Sequence, residues 1–160
     1  MENSSSTPNH AQHSRILALD FGSKTIGLAI TDELGLTAQG LPTLRRINKR
    51  SDLDYLRRVI RQFRVGEIVM GLPLCLSGDA GTQSEKVQIF AEGLRKKFKL
   101  PVHLFDERFT SVEANRVLRE SMMSIRRRAE VVDQLAAVLI LQSFLEFRRS
   151  QEPNSGTGPS

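Results

Sequence analysis

The chain has 160 residues, of which 39% are hydrophobic and 26% charged, with one cysteine and a formal net charge of +5. This length favours one domain with a hydrophobic core, and the composition excludes a wholly disordered or collagen-like chain. The single Cys75 excludes an internal disulfide and a cysteine zinc site, which fits a reducing compartment and predicts the cytoplasm. We expect neither a signal peptide nor a membrane span, and the basic charge predicts a polyanionic partner.

The first part of the chain predicts an antiparallel meander. Apolar runs at Arg15–Phe21 and Thr25–Thr31 are separated by a short segment containing Gly22, which predicts two strands joined by a tight turn. A third strand is predicted at 36–44, where Pro42 favours an edge position because proline cannot donate a ladder hydrogen bond.

An amphipathic helix with a basic outer surface follows the meander. Ser51 and Asp54 have the spacing of an N-terminal cap, and the apolar positions recur every three or four residues. These positions are Leu53, Leu56, Ile60 and Phe63. A cationic stripe on another side of the helix consists of Arg57, Arg61 and Arg64, and it could track a phosphate backbone or simply form a solvated face.

The rest of the chain alternates strands and helices. The predicted elements are a strand at 67–71, a helix from Thr82 with a capping box to Glu85, a strand at 101–105, and helices at 110–119 and 130–147. The order β-β-β-α-β-α-β-α-α is typical of a mixed α/β fold. Polar segments at 1–14 and 150–160 are expected to be disordered tails around one domain of residues 15–149.

Three carboxylates lie at the edges of predicted core elements: Asp20 near the end of the first strand, Glu107 just after the fifth, and Asp133 early in the last helix. Buried carboxylates persist when they are paired, hydrogen-bonded or bound to a metal, and an oxygen-rich cluster suits Mg²⁺ or Mn²⁺. Taken singly, each acid fits a structural role better than a catalytic one, in a turn or at a helix N-terminus, and the combination of the three favours a metal site. The neighbouring Asp106 is set aside because adjacent strand residues face opposite ways, and Asp32 is predicted to stabilise a turn.

Four ordered motifs resemble the YqgF or RuvX family of ribonuclease H-like proteins, which comprises pre-ribosomal RNA nucleases and Holliday junction resolvase-like proteins. The motifs are ALDFGSKTIGLAITD from Ala18, VMGLPLCLSGDAGTQSEKV from Val69, FDERFTSVEA from Phe105 and VDQLAAVLILQSFL from Val132. The resemblance implies a five-stranded mixed sheet, with an antiparallel β1-β2-β3 meander and then parallel β4 and β5, flanked by helices. It also implies that Asp20, Glu107 and Asp133 form the metal site.

The resemblance further implies a hydrolase that processes the 5′ end of pre-16S rRNA in ribosome biogenesis. Two Mg²⁺ ions would bind the scissile phosphate, with Lys24 or Arg108 reaching nearby phosphate oxygens. This chain has Thr25 where the family usually has Arg, so one substrate-facing cation is expected to be missing. It also has Ala136 where related junction resolvases often carry a further acid.

Other functions remain open at the level of the sequence. RNA, in the form of pre-rRNA or a ribosome precursor, is favoured over branched DNA, but a Holliday junction resolvase would use the same carboxylates. A non-catalytic protein that binds RNA or the ribosome would need only the basic surfaces. The motif around Asp20 is also similar to the phosphate loop of actin-like ATPases, which need two such domains.

Overall fold

The structure is a computed structural model that describes residues 14–73, 81–106 and 125–152, without the side chains of 82 and 125–131. Within these ranges the chain forms five strands and three helices. They are β1 (Arg15–Phe21), β2 (Thr25–Thr31), β3 (Ala38–Arg45), α1 (Lys49–Phe63), β4 (Val65–Leu72), α2 (Thr82–Phe98), β5 (Val102–Asp106) and α3 (Ile125–Gln151). The predicted helix at 110–119 and the tail at 1–13 lie outside the described residues. None of the three described helices has the length and apolarity needed to cross a bilayer.

The strands form one sheet in the order β3-β2-β1-β4-β5. β2 pairs antiparallel with both β1 and β3, whereas β4 pairs parallel with β1 and β5, so the predicted mixed sheet is confirmed. β1 is therefore the central strand. Pro42 lies on the edge strand β3, as predicted, beside a register shift that places two β3 residues opposite Gly27.

Helices cover both faces of the sheet. The side chains of β1 point alternately to one face and to the other. Leu17, Leu19 and Phe21 belong to the core cluster that α1 and α2 complete. Ile16 and Ala18 point to the opposite face, where they pack against α3. Small residues on this second face let α3 lie close to the sheet. They are Ala18 and Ala29 in the strands and Ala136 and Ala137 in the helix.

The turn between β2 and β3 confirms the predicted role of Asp32. Its Oδ1 accepts the backbone N–H of Leu36 at 2.7 Å and of Thr37 at 3.1 Å. The bonds from Thr37 and Leu36 hold the pKa of the Asp32 carboxyl below its usual value. Gly35, with a φ of +70°, supplies the left-handed residue that this turn requires.

The helix ends differ from the predictions for local reasons. α1 begins at Lys49, because Asn48 rather than Ser51 is the N-cap, and its side chain accepts the Ser51 N–H at 2.9 Å. The predicted capping box of α2 is wrong, since Gly81 is the N-cap and no side chain caps that end. α3 is longer than predicted and includes two residues assigned to the C-terminal tail, because no Gly or Pro interrupts the chain before Pro153.

Candidate active site

The central strand carries Asp20 on the face that α3 covers. Asp20 follows Ile16 and Ala18 at intervals of two, and both of these pack against the helix. Its cross-strand partner is Gly27 in β2. Directly opposite residues in an antiparallel pair project to the same face of the sheet. The half-buried Asp20 side chain therefore projects toward the helix at the position where β2 has no side chain.

Gly27 permits a close approach of α3 at Asp133. A Cβ atom added to Gly27 would lie 2.1 Å from the carbonyl oxygen of Asp133 and 2.7 Å from its carbonyl carbon. No real side chain tolerates such distances, so only glycine admits the helix backbone here. Because Gly27 is also the partner of Asp20, the two predicted acids Asp20 and Asp133 converge on one point of the sheet.

Thr25 fixes the carboxylate of Asp133. The Thr25 hydroxyl donates a hydrogen bond of 2.6 Å to Oδ2 of Asp133, and both residues are partly buried. A carboxylate has about four lone-pair sites, so this bond leaves capacity for a cation. The sequence indicated Thr25 only as a departure from an expected Arg. Its role in orienting Asp133 could not be found locally, because 108 positions separate the two residues.

The turn after Asp20 is held by a partly buried ion pair that the sequence did not indicate. Arg46 donates from its guanidinium to the Gly22 carbonyl at 2.9 Å and lies 4.5 Å from the centre of the Phe21 ring. Asp52 is 1% exposed and accepts the Arg46 Nε–H at 3.3 Å and the Ile47 backbone N–H at 3.2 Å. The turn that follows Asp20 is thus braced from the start of α1.

The start of α2 braces the end of β1 from another side. The side-chain amide of Gln83 donates to the Phe21 carbonyl at 3.0 Å. The Phe21 ring stacks on Phe90 of the same helix with 4.4 Å between ring centroids. Asp20 therefore precedes a residue that is held by α2 and by Arg46.

An ion-pair cluster anchors α3 at its opposite end. The guanidinium of Arg148 donates to both carboxylate oxygens of Glu67 in β4, and His103 Nε2 lies 2.9 Å from Glu67 Oε2. The Arg148 hydrogen bond, helped by His103 and opposed by partial burial, lowers the pKa of Glu67 below its usual value, and the pKa of Arg148 is raised in turn. α3 is thus fixed to the sheet at two points, Asp133 and Arg148.

The remaining predicted site residues are only partly described. Glu107 and Arg108 lie outside the described residues, which end at Asp106 in this part of the chain. Lys24 is exposed in the turn after Asp20. In the described part of the chain no group of three His, Cys, Asp or Glu side chains could hold a metal.

The predicted cationic stripe on α1 runs away from the two acids. The helix begins beside the turn that contains Lys24 and ends next to the start of β4, at the opposite end of the strands. Arg57 pairs with Asp54 at 3.5 Å, Arg61 is exposed in the last turn, and Arg64 is the C-cap residue with a φ of 52°. The binding of nucleic acid by this stripe stays a prediction.

Comparison with known proteins identifies relatives in sequence and in fold. Residues 14–147 match the model of a family described as RuvX, Holliday junction resolvase. A Koribacter versatilis protein named "Putative pre-16S rRNA nuclease" is 65% identical over 138 residues, covering 86% of this chain and 90% of the relative. A Moorella thermoacetica protein of the same name is 52% identical over 132 residues, covering 82% and 94%.

The structural comparison agrees with the sequence comparison. Thermus thermophilus RuvC, solved in complex with a Holliday junction substrate, superposes with a TM-score of 0.54 over 87% of this chain and 98% of that one. The two sequences are 13% identical, so this likeness concerns the fold. It confirms the ribonuclease H-like architecture that the motifs predicted.

Proposed function

Because this chain belongs to the RuvX family, we propose that it is a metal-dependent endonuclease that hydrolyses phosphodiester bonds at the 5′ end of pre-16S rRNA. The observation that carries the proposal is the convergence of Asp20 and Asp133 at Gly27. Two acids carried by elements that meet at one point of the sheet can supply carboxylate oxygens to the same cation. The same proposal has the protein act in the cytoplasm, in keeping with its single cysteine.

The donor set suits a hard divalent cation. Asp20 and Asp133 supply carboxylate oxygens, the ligands that Mg²⁺ and Mn²⁺ prefer. We assign the third ligand to Glu107, which follows Phe105 by two positions. The resemblance to the RuvX family supports this assignment, because Glu107 lies within the FDERFTSVEA motif. Bound divalent ions would activate a water molecule and stabilise the leaving oxygen of the phosphodiester.

The protein's own residues supply position and charge. The Thr25 hydroxyl holds the Asp133 carboxylate in one orientation, so this ligand does not have to be ordered when the cation binds. Asp20 projects from the central strand, whose end is held by Arg46 and Gln83. Lys24 in the adjacent turn, together with Arg108, is assigned to the phosphate oxygens next to the scissile bond.

A second candidate function is cleavage of four-way DNA junctions. It is favoured by the description of the matching family and by the superposition on RuvC in complex with a Holliday junction substrate. The same carboxylates would serve both reactions, so the candidates differ in the nucleic acid bound and not in the chemistry.

Cleavage assays on both substrates test the proposal. A labelled 16S rRNA precursor and a labelled four-way junction are incubated with Mg²⁺, Mn²⁺ or EDTA and with wild type, Asp20→Asn or Asp133→Asn. We expect metal-dependent cutting of the precursor by wild type and a loss of at least about a hundredfold in each variant. Asp54→Asn is the matched control, because Asp54 is an exposed helix residue paired only with Arg57 among the described contacts.

The outcomes separate the candidate functions. Cutting of the junction but not of the precursor transfers the assignment to a DNA resolvase. If neither substrate is cut in a manner that depends on metal and on Asp20, the catalytic assignment is wrong. Binding of RNA without cleavage would then favour a non-catalytic RNA- or ribosome-binding protein.

A further inference from the structure

We propose that a cationic surface at one corner of the sheet, where β3 ends and α1 begins, binds the phosphate backbone of the strand that enters the active site. This surface, the β3 corner, consists of Lys24, Arg45, Lys49 and Arg50, all of which are exposed. The inference rests on the proposed function, because it assigns a substrate-binding surface to the same site. It differs from the stripe predicted from the sequence, which lies further along α1.

Arg45 is placed next to the two acids by the register of the sheet. Arg45 and Thr25 are direct partners in the antiparallel pair of β3 and β2, so their side chains project to the same face. Thr25 uses that face to bind Asp133. The neighbouring pair of Leu44 and Ile26 faces the opposite core, which confirms the alternation. Arg45 therefore adds a cation on the face of the sheet where Thr25 binds Asp133, about 5 Å from Thr25 at the level of Cβ.

The other cations are joined to the same corner by backbone contacts. The backbone N–H of Arg46 donates to the Lys24 carbonyl at 2.8 Å, which ties the end of β3 to the turn after β1. The buried Asp52 accepts from the Arg46 guanidinium and from the Ile47 backbone, which ties the first turn of α1 to the same segment. The backbone segments that carry the four cations of the β3 corner are thus joined to one another.

The positive charges of the β3 corner do not stabilise the fold. Lys49 and Arg50 are in the first turn of α1, at the positive end of the helix dipole, where cations are disfavoured. Within the described part of the chain, none of the four corner side chains forms an ion pair, whereas Arg57 on the same helix does. In α2 the lysines 96 and 97 lie in the last turn, where the dipole favours them. Positive charge concentrated against the dipole and beside an active site is what phosphate binding requires.

The test compares two variants with the same change in net charge. One is the corner variant, Arg45→Gln/Lys49→Gln/Arg50→Gln, which leaves Lys24 in place. The other is the control, Lys96→Gln/Lys97→Gln/Lys99→Gln, which removes three exposed cations at the end of α2, at the opposite edge of the sheet. Binding of a fluorescein-labelled single-stranded RNA from the 16S precursor is measured by anisotropy in EDTA, between about 50 and 200 mM salt.

We expect the corner variant to bind the RNA about ten- to a hundredfold more weakly at 0.1 M salt. The slope of the logarithm of the binding constant against the logarithm of the salt concentration should be shallower by about two, since each of the three phosphate contacts contributes roughly 0.7. The control should match wild type. The thermal midpoint of the corner variant should be equal to or above that of wild type, which excludes unfolding as the cause. In cleavage assays the KM should rise while kcat changes little.

Other outcomes would overturn the inference. Equal binding by the corner variant and wild type would assign these cations to a different anionic partner, such as an acidic protein. If the salt slope becomes shallower for Arg57→Gln/Arg61→Gln but not for the corner variant, the stripe on α1 binds the RNA and the β3 corner does not. Because binding is read in EDTA, absence of cleavage by wild type would contradict the proposed function and leave this measurement intact.

Discussion

Replacement of Gly27 by alanine should separate the two acids. The new Cβ would lie 2.1 Å from the Asp133 carbonyl oxygen, whereas real Cβ atoms stay beyond 3.0 Å, so α3 must retreat by about 0.9 Å. A displacement of this size along the same direction would lengthen the bond of 2.6 Å between Thr25 and Asp133 to about 3.5 Å, the limit of a hydrogen bond. Both the packing and the ligand geometry would therefore be disturbed.

Two magnitudes follow from this displacement. Overpacking of a close contact costs about 1–3 kcal/mol of unfolding free energy, and a misplacement of about 1 Å at a catalytic site costs roughly a hundredfold in rate. Unfolding in urea measures the first quantity. Single-turnover cleavage of the labelled precursor, well below the melting temperature of the variant, measures the second.

Gly93→Ala is the matched control for Gly27→Ala. Nothing lies within 4 Å of a Cβ at this position in α2, so alanine should raise the unfolding free energy by about 0.5–1 kcal/mol and leave the rate unchanged. A Gly27→Ala protein that cleaves within twofold of wild type would show that the approach of α3 does not set the geometry of the site.

Three further substitutions test other parts of the structure. Thr25→Val should lower kcat by about ten- to a hundredfold, because the Asp133 carboxylate loses its charge-assisted hydrogen bond. Thr25→Ser keeps the hydroxyl and should cleave at a rate close to that of wild type. Equal rates for the Val and Ser variants would refute the role of this hydrogen bond. Asp52→Asn should lower the unfolding free energy by about 2 kcal/mol in thermal or urea melts, whereas the exposed Asp54→Asn should change it by less than about 1 kcal/mol. The hydrogen bond from Arg148 holds the pKa of Glu67 below its usual value in the folded protein. Its ion pair therefore stabilises the fold above about pH 4.5, and this contribution is lost as the pH falls through the lowered pKa. The difference in unfolding free energy between wild type and Glu67→Gln should therefore shrink on acidification, and a constant difference would contradict the ion pair.

Much of the fold could be predicted because its strongest signals are local. The strands β1 and β2 have the predicted bounds, since each is a continuous apolar run and Gly22 marks the turn between them. The edge position of β3 followed from Pro42. Asp20 was also recognisable locally, because a carboxylate within an apolar strand requires a compensating partner.

The contacts that assemble the site could not be predicted, because they are long-range. The pairing of Thr25 with Asp133 and the need for glycine at position 27 depend on where α3 crosses β2, which no local pattern specifies. No local pattern around Arg46 or Asp52 indicates what these two residues do. In the structure they are a brace for the turn after Asp20, and one of them is almost completely buried.

The separation of Thr25 and Asp133 also has a consequence for the timing of synthesis. The two residues are 108 positions apart, and ribosomes add about 5–20 residues per second, so roughly 5–20 seconds pass between their incorporation. During that interval a nascent chain carries Asp20 without the helix that completes the site. The proposed nuclease site therefore lacks Asp133 until the last helix has been synthesised.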